Sequence, residues 1–132
     1  MIVLDASAVL ELLLHTKGGG GVADRIADDG VSLHAPHLIT VEVTQVIRRY
    51  WAGGSVTPEL AAAALADLVD LDIARYPHEP FVDRVWDLRD NMTAYDAVYV
   101  ALAEVLDAPL LTFDRRLANC PGHEAHIELL RA

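Results

Sequence analysis

The stretch from Asn91 to Asp114, NMTAYDAVYVALAEVLDAPLLTFD, predicts a buried helix followed by a buried strand. The seven residues after Asp96 carry no charge, so the helix is apolar nearly all round and should lie inside the protein. An alanine-proline pair ends this helix, and Leu110 to Phe113 has the pattern of a short buried strand. Asp114 then stands at the carboxyl end of the strand, where parallel α/β sheets bind their ligands.

The carboxylate of Asp96 has two interpretations. Thr93 and Asp96 have the spacing of a capping box, in which the helix dipole favours an acid near the first turn. Alternatively, Asp96 faces a cleft and binds a cation, and the two roles are compatible. The strand that ends in Asp114 favours the cleft, because a second acid is then expected at a ligand-binding edge.

The beginning of the chain repeats this pattern of a strand that ends in an acid. Ile2 to Leu4 is a short apolar segment followed directly by Asp5. If this strand and the Leu110 strand are parallel neighbours, about 4.8 Å apart, their terminal carboxylates lie within reach of one ion. Ser7 either caps the helix that follows, which is the more common use of serine there, or adds its hydroxyl to the Asp5 site.

A fourth acid lies in the predicted helix from Leu38 to Trp51. Glu42 falls between Leu38 and Val46 on the helical wheel, at the edge of the apolar face. A carboxylate at this position either reaches solvent at the border of the face or points into a polar cavity.

The rest of the chain alternates predicted strands and helices, which indicates right-handed crossovers, a parallel sheet and helices on both faces. At 132 residues the chain is expected to form one domain over residues 1–132. The further predicted elements are a flexible glycine linker at 17–21, helices at 22–29, 57–70, 79–89 and 115–118, and strands at 31–35, 71–75 and 126–130.

The charge balance argues against broad electrostatic binding of nucleic acid. Twenty acidic residues against ten basic residues give a formal net charge of -10. A polyanionic partner would therefore need local arginines and cations that neutralise the acids at the contact. Two arginine pairs, Arg48-Arg49 and Arg115-Arg116, are either such spots or solvated helix ends.

The sequence predicts a cytoplasmic protein without a membrane segment. No uncharged apolar run approaches the roughly 18 residues that a membrane span needs, although mean hydropathy is +0.27. The chain begins Met-Ile-Val-Leu-Asp with no basic segment before its apolar residues, which is unlike a signal peptide. A single cysteine, Cys120, excludes an intramolecular disulfide and is typical of a reducing compartment.

Four carboxylates at one end of a parallel sheet would form an oxygen-rich pocket without histidine. Such ligands suit Mg²⁺ or Mn²⁺, which polarise a phosphodiester and lower the pKa of a bound water. Zinc is disfavoured because the histidines spaced three apart lie across predicted strand ends or loops and not on a helix face; they are His34/His37 and His123/His126.

A different class of site would use Asp5 as a phosphoacceptor. Haloacid-dehalogenase phosphatases carry a second aspartate two residues on, where this chain has Ser7. Response-regulator receivers need an acidic pair before the acceptor and a late lysine, whereas the only lysine here is Lys17. Both comparisons disfavour this class.

With these residues in place, the sequence resembles the PIN-domain family, and within it the VapC toxins of bacterial toxin–antitoxin pairs. Each matching motif is weak alone, but their order and spacing from residue 2 to about residue 130 are specific. The motifs are Asp5-Ala6-Ser7, Glu42, Thr93-Ala94-Tyr95-Asp96-Ala97 and Leu111-Thr112-Phe113-Asp114.

The resemblance implies a flavodoxin-like three-layer α/β sandwich with a mostly parallel sheet of four to five strands. It also implies cleavage of RNA, a homodimer, and a VapB-type antitoxin as partner. Alternatives are a housekeeping RNA-processing nuclease and a non-catalytic binding module. Carried over by position, Asp5, Glu42, Asp96 and Asp114 would hold Mg²⁺ or Mn²⁺, and Ser7, Thr93, Thr112 and Arg115 would contact these acids or the substrate.

Overall fold

A five-stranded parallel sheet forms the centre of the protein. The structure is a computed structural model, and it describes residues 1–131. The strands are β1 (Ile2–Leu4), β2 (Leu33–Pro36), β3 (Ile73–Tyr76), β4 (Leu110–Thr112) and β5 (Ile127–Leu129). Their order across the sheet is β3-β2-β1-β4-β5, and every neighbouring pair is parallel.

Helices cover both faces of this sheet, so the predicted three-layer α/β class is confirmed. They are α1 (Ala6–Leu13), α2 (Lys17–Ile26), α3 (Leu38–Ala52), α4 (Pro58–Asp70), α5 (Val82–Asp87), α6 (Ala94–Leu106) and α7 (Arg115–Ala118). Helix α1 contacts α2, α3 and α4, whereas α5 contacts α6, and α7 contacts β4 and β5. Right-handed crossovers are expected to place α1 to α4 on one face and α5 to α7 on the other. No helix within residues 1–131 is long and apolar enough to span a bilayer.

The order of the strands reverses between β1 and β4, and this is where parallel sheets leave a ligand crevice. Val3 is paired with Leu110, and the backbone N–H of Asp5 donates to the carbonyl of Leu111 at 3.2 Å. The two strands that end in acids are therefore parallel neighbours, which is the arrangement that the sequence analysis considered. Asp5 and Asp114 follow the carboxyl ends of adjacent strands.

Helix α6 is the buried helix that its uncharged sequence predicts. All residues from Ala97 to Ala103 are buried, and the helix packs against β1, β2 and β4. The Thr93 hydroxyl caps its first turn by accepting from the N–H of Asp96 at 3.2 Å. The burial of this helix fixes Asp96, in its first turn, at the end of the sheet.

The prediction of a flexible glycine linker at 17–21 is wrong, because these residues form the first half of α2. Thr16 caps the helix by accepting from the N–H of Gly19 at 3.2 Å. A Cβ atom on Gly19 would lie 2.2 Å from the carbonyl oxygen of Glu11, so the absence of a side chain allows α2 to pack closely on α1.

Other boundaries shift by a few residues. The predicted helix at 22–29 ends at Ile26, and the predicted strand at 31–35 is shifted to Leu33–Pro36. The predicted helix at 79–89 divides into a 3₁₀ turn, Glu79–Phe81, and α5. The last strand forms a sheet edge, as predicted.

Candidate active site

Four carboxylates from distant parts of the sequence line one pocket of about 540 Å³. Two of them follow the central strands β1 and β4, and the other two lie on the helices α3 and α6. Since the first pair is fixed by the sheet and the second by helices packed against it, the fold itself brings the acids together. They are Asp5, Glu42, Asp96 and Asp114.

Asp5 is the most constrained of these acids. Its side chain is buried, and Oδ1 accepts from the Ser7 hydroxyl at 2.6 Å and from the N–H of Ala8 at 3.0 Å. Its Oδ2 accepts from the hydroxyl of Thr112. Asp5 is thus the N-cap of α1, and Ser7 does not take the capping role that is more common for serine.

The two hydroxyls that hold Asp5 are themselves fixed by the turn after β4. The N–H of Phe113 donates to Ser7 Oγ at 2.9 Å, and the N–H of Asp114 donates to Thr112 Oγ1 at 3.0 Å. Each hydroxyl accepts an N–H and donates its own proton to Asp5. The backbone after β4 therefore orients the carboxylate after β1.

Glu42 faces the pocket and does not reach out to solvent at a helix border. The Tyr99 hydroxyl donates to Glu42 Oε1 at 2.8 Å, and Tyr99 is only 2% exposed. Tyr99 was not predicted from the sequence as a site residue. Its signal was its position three residues after Asp96 on the buried helix, because a buried tyrosine hydroxyl needs a hydrogen-bond partner.

An arginine lies between the other two acids. Arg116 Nη2 is 3.4 Å from Asp96 Oδ2 and 3.4 Å from Asp114 Oδ2. Asp114 also caps α7, since its Oδ1 accepts from the N–H of Arg116 at 2.9 Å. Arg115, which the sequence analysis singled out, forms no ion pair with any residue in 1–131.

The electrostatics of the pocket disfavour several negative charges together. Burial raises the pKa of Asp5, Glu42 and Asp96 above their ordinary values. The charge of Asp96 adds to the increase at both Asp5 and Glu42, whereas Arg116 partly opposes the increase at Asp96. Burial and the charge of Glu42 raise the pKa of Tyr99, so its hydroxyl stays protonated as a donor.

The residues present fit a divalent cation that prefers oxygen ligands. A single nitrogen of Arg116 contacts both Asp96 and Asp114, so these two carboxylates can share one cation. Asp5 accepts three hydrogen bonds, whereas a carboxylate offers about four lone-pair sites. Within residues 1–131, no three His, Cys, Asp or Glu side chains already stand at ligand spacing, so the acids would turn towards the ion.

Two further grooves lie outside the acid pocket, and one of them shares residues with it. The arginine pair Arg48-Arg49 is divided between two surfaces. Arg49 lines the acid pocket, whereas Arg48 lines a separate groove between α3 and α4. An apolar groove of about 480 Å³ shares Leu38 and Tyr95 with the acid pocket and also includes the exposed Trp86.

Comparison with known proteins places this geometry in a family. Residues 2–122 match the PIN domain family. The chain is 42% identical over 130 residues to Ribonuclease VapC12 of Mycobacterium tuberculosis, covering 98% of this chain and 99% of that protein. It is 43% identical to Ribonuclease VapC1 of the same organism, covering 98% and 97%.

Structural similarity supports the fold independently. The crystal structure of Mycobacterium tuberculosis VapC20, a Sarcin-Ricin loop cleaving toxin, superposes with a TM-score of 0.67 at 13% sequence identity. The match covers 89% of this chain and 93% of VapC20. From its sequence, its fold and its near full-length relatives, the chain belongs to the PIN-domain family, among the VapC-type toxin ribonucleases.

Proposed function

We propose that this ribonuclease is a metal-dependent endoribonuclease. It cleaves internal phosphodiester bonds of RNA at the acid pocket. The observation that carries the proposal is the convergence of the four carboxylates Asp5, Glu42, Asp96 and Asp114 from four separate elements. An oxygen-only set of this kind is typical of Mg²⁺ and Mn²⁺ sites.

The side chains would divide the work of binding between them. Asp5, held by Ser7 and Thr112, and Glu42, held by Tyr99, provide oriented carboxylates on two sides of the pocket. When bound, Mg²⁺ or Mn²⁺ would polarise the phosphodiester and lower the pKa of an attacking water.

The remaining residues position these groups or supply positive charge. Thr93 fixes the first turn of α6, and with it the carboxylate of Asp96, by capping. Arg49 lines the pocket, and Arg115 is exposed on the neighbouring helix α7. In a chain with a net charge of -10, such local arginines are the available contacts for RNA phosphates.

The direct test is cleavage of structured RNA by purified protein with Mg²⁺ or Mn²⁺. We expect cutting with either ion and none with excess chelator, and restored cutting when the ion is returned. Full activity in chelator would refute the mechanism. Expression of the gene in bacteria should arrest growth if the nuclease acts as a toxin.

Thermal stability should rise when Mn²⁺ or Mg²⁺ is added, because a cation relieves the repulsion among the acids. Ligand binding at a hundredfold excess over Kd stabilises a fold by about 2.7 kcal/mol. The measurement is differential scanning calorimetry of metal-free protein titrated with MnCl₂, with NaCl at matched ionic strength as the control. Asp96→Asn should lose most of the increase, and an equal increase in that variant would place the ion elsewhere.

We also propose that the protein works in the cytoplasm as a homodimer and binds a VapB-type antitoxin. The support on the molecular surface is a groove of about 320 Å³ between α3 and α4. Trp51, which is 53% exposed, lines this groove together with Ala61, Ala62 and Leu65. Exposed apolar patches often mark protein interfaces, and aromatic residues are enriched there.

Trp51→Asp is expected to weaken self-association or antitoxin binding at least tenfold, because it places a charge in the apolar groove. The measurement is size-exclusion chromatography over a concentration series, with and without the antitoxin. Val69→Asp is the matched control, since Val69 is exposed on α4 but does not line the groove. Unchanged assembly and antitoxin binding in Trp51→Asp would remove this residue from the interface.

A further inference from the structure

Arg116 places a positive charge beside two of the four acids. Its Nη2 atom contacts Asp96 and Asp114 at the same distance, 3.4 Å, although these acids come from different elements. On the basis of the proposed metal site, we infer that the guanidinium of Arg116 balances the charges of Asp96 and Asp114 when no metal ion is bound. A divalent ion must displace its guanidinium from Asp96 and Asp114 before both carboxylates can turn to the ion.

The geometry makes this displacement local. The backbone of Arg116 is anchored, because its N–H donates to Asp114 Oδ1 at 2.9 Å. Its side chain is 73% exposed, and the contacts of 3.4 Å are longer than the roughly 2.7–2.9 Å of strong charge-assisted hydrogen bonds. The guanidinium can therefore swing into solvent while helix α7 stays in place.

Competition of this kind lowers the apparent affinity for the ion. Molecules in which the guanidinium contacts the two acids cannot bind the metal ion. The measured Kd for the ion therefore rises as the fraction of such molecules increases. Solvent screens both contacts, so each is weak. Removing them should tighten ion binding by about two- to fivefold.

The arginine next in sequence gives a matched control. Arg115 and Arg116 are exposed neighbours at the start of α7, but only Arg116 contacts the acids. Arg115→Gln and Arg116→Gln change the net charge of the chain equally. A difference between them therefore reports the contacts of Arg116 and not the overall charge.

The experiment is isothermal titration calorimetry of MnCl₂ into metal-free protein without RNA. We expect Arg116→Gln to bind Mn²⁺ about two- to fivefold more tightly than wild type, and Arg115→Gln to stay within about 1.5-fold of wild type. Arg116→Lys, which keeps the charge but loses the planar fork, should fall between wild type and Arg116→Gln. Thermal unfolding of each variant verifies that it is folded.

Two kinds of failure are distinguishable. If wild type binds Mn²⁺ and Asp96→Asn does not, but Arg116→Gln matches Arg115→Gln or binds more weakly, only the role of Arg116 is overturned. If wild type binds no Mn²⁺ in calorimetry, the proposed metal site is overturned, and the role of Arg116 with it.

Discussion

Asp5→Asn is expected to reduce RNA cleavage by about a thousandfold or more, which corresponds to about 4 kcal/mol of lost transition-state stabilisation. The substitution removes one negative charge from the centre of the oxygen set that would hold the ion. It keeps the shape of the side chain, so the remaining acids stay in position. Asp96→Asn should lose activity for the same reason.

The same substitution should leave the fold intact. The asparagine Oδ1 can accept from the Ser7 hydroxyl and the N–H of Ala8, as Asp5 Oδ1 does. Its NH₂ group, which replaces Oδ2, can donate to the Thr112 hydroxyl in place of accepting from it. Burial raises the pKa of Asp5, which means that the ionised form is disfavoured in the folded protein. A neutral side chain avoids the cost of burying a negative charge, so the free energy of unfolding without metal should be unchanged or higher.

Cleavage with Mn²⁺ and urea unfolding in chelator measure the two effects separately. Asp107→Asn is the matched control, because Asp107 has a left-handed backbone with φ 49° at the end of α6, which asparagine tolerates. It makes the same change of charge away from the pocket and should keep full activity. Full cutting by folded Asp5→Asn would refute the role of this carboxylate.

Gly19→Ala is expected to lower the free energy of unfolding by about 3 kcal/mol, the upper range for overpacking. Its Cβ would lie 2.2 Å from the carbonyl oxygen of Glu11 and 2.9 Å from the carbonyl carbon. These are backbone atoms of α1, so no side-chain rotation relieves the overlap. The two helices would have to separate.

Gly20→Ala provides the comparison within the same helix. A Cβ on Gly20 would meet no atom within 4 Å. Alanine there should stabilise the protein by about 0.5–1 kcal/mol, because glycine is unfavourable in a helix interior. Urea unfolding of the two variants measures the contrast, and equal stabilities would contradict the close packing of α1 on α2.

The separation of α1 and α2 would also affect the site. Asp5 caps α1, and its carboxylate depends on the position of Ser7 in that helix. We therefore expect Gly19→Ala to lose some activity in addition to stability, whereas Gly20→Ala should keep it.

The sequence by itself determined the class of fold and the acids to consider. The uncharged run after Asp96 indicated a buried helix, because a helix that is apolar on every side is normally packed against other elements all round. Two short apolar strands, each followed by an aspartate, indicated that the two acids would lie close together if the strands were parallel neighbours, and the sheet pairs them in this way. These are local patterns, and local patterns can be read from the order of residues.

Only the tertiary structure decided what individual polar groups contact. The Ser7 hydroxyl, which donates to Asp5, accepts from the N–H of Phe113, 106 residues away, and Tyr99 meets Glu42 across 57 residues. The glycine tract forms a helix that packs closely on α1, because the backbone of Glu11 lies where a Cβ of Gly19 would be. Such contacts depend on which distant segments the folded sheet brings together, and the spacing of residues along the chain does not contain that information.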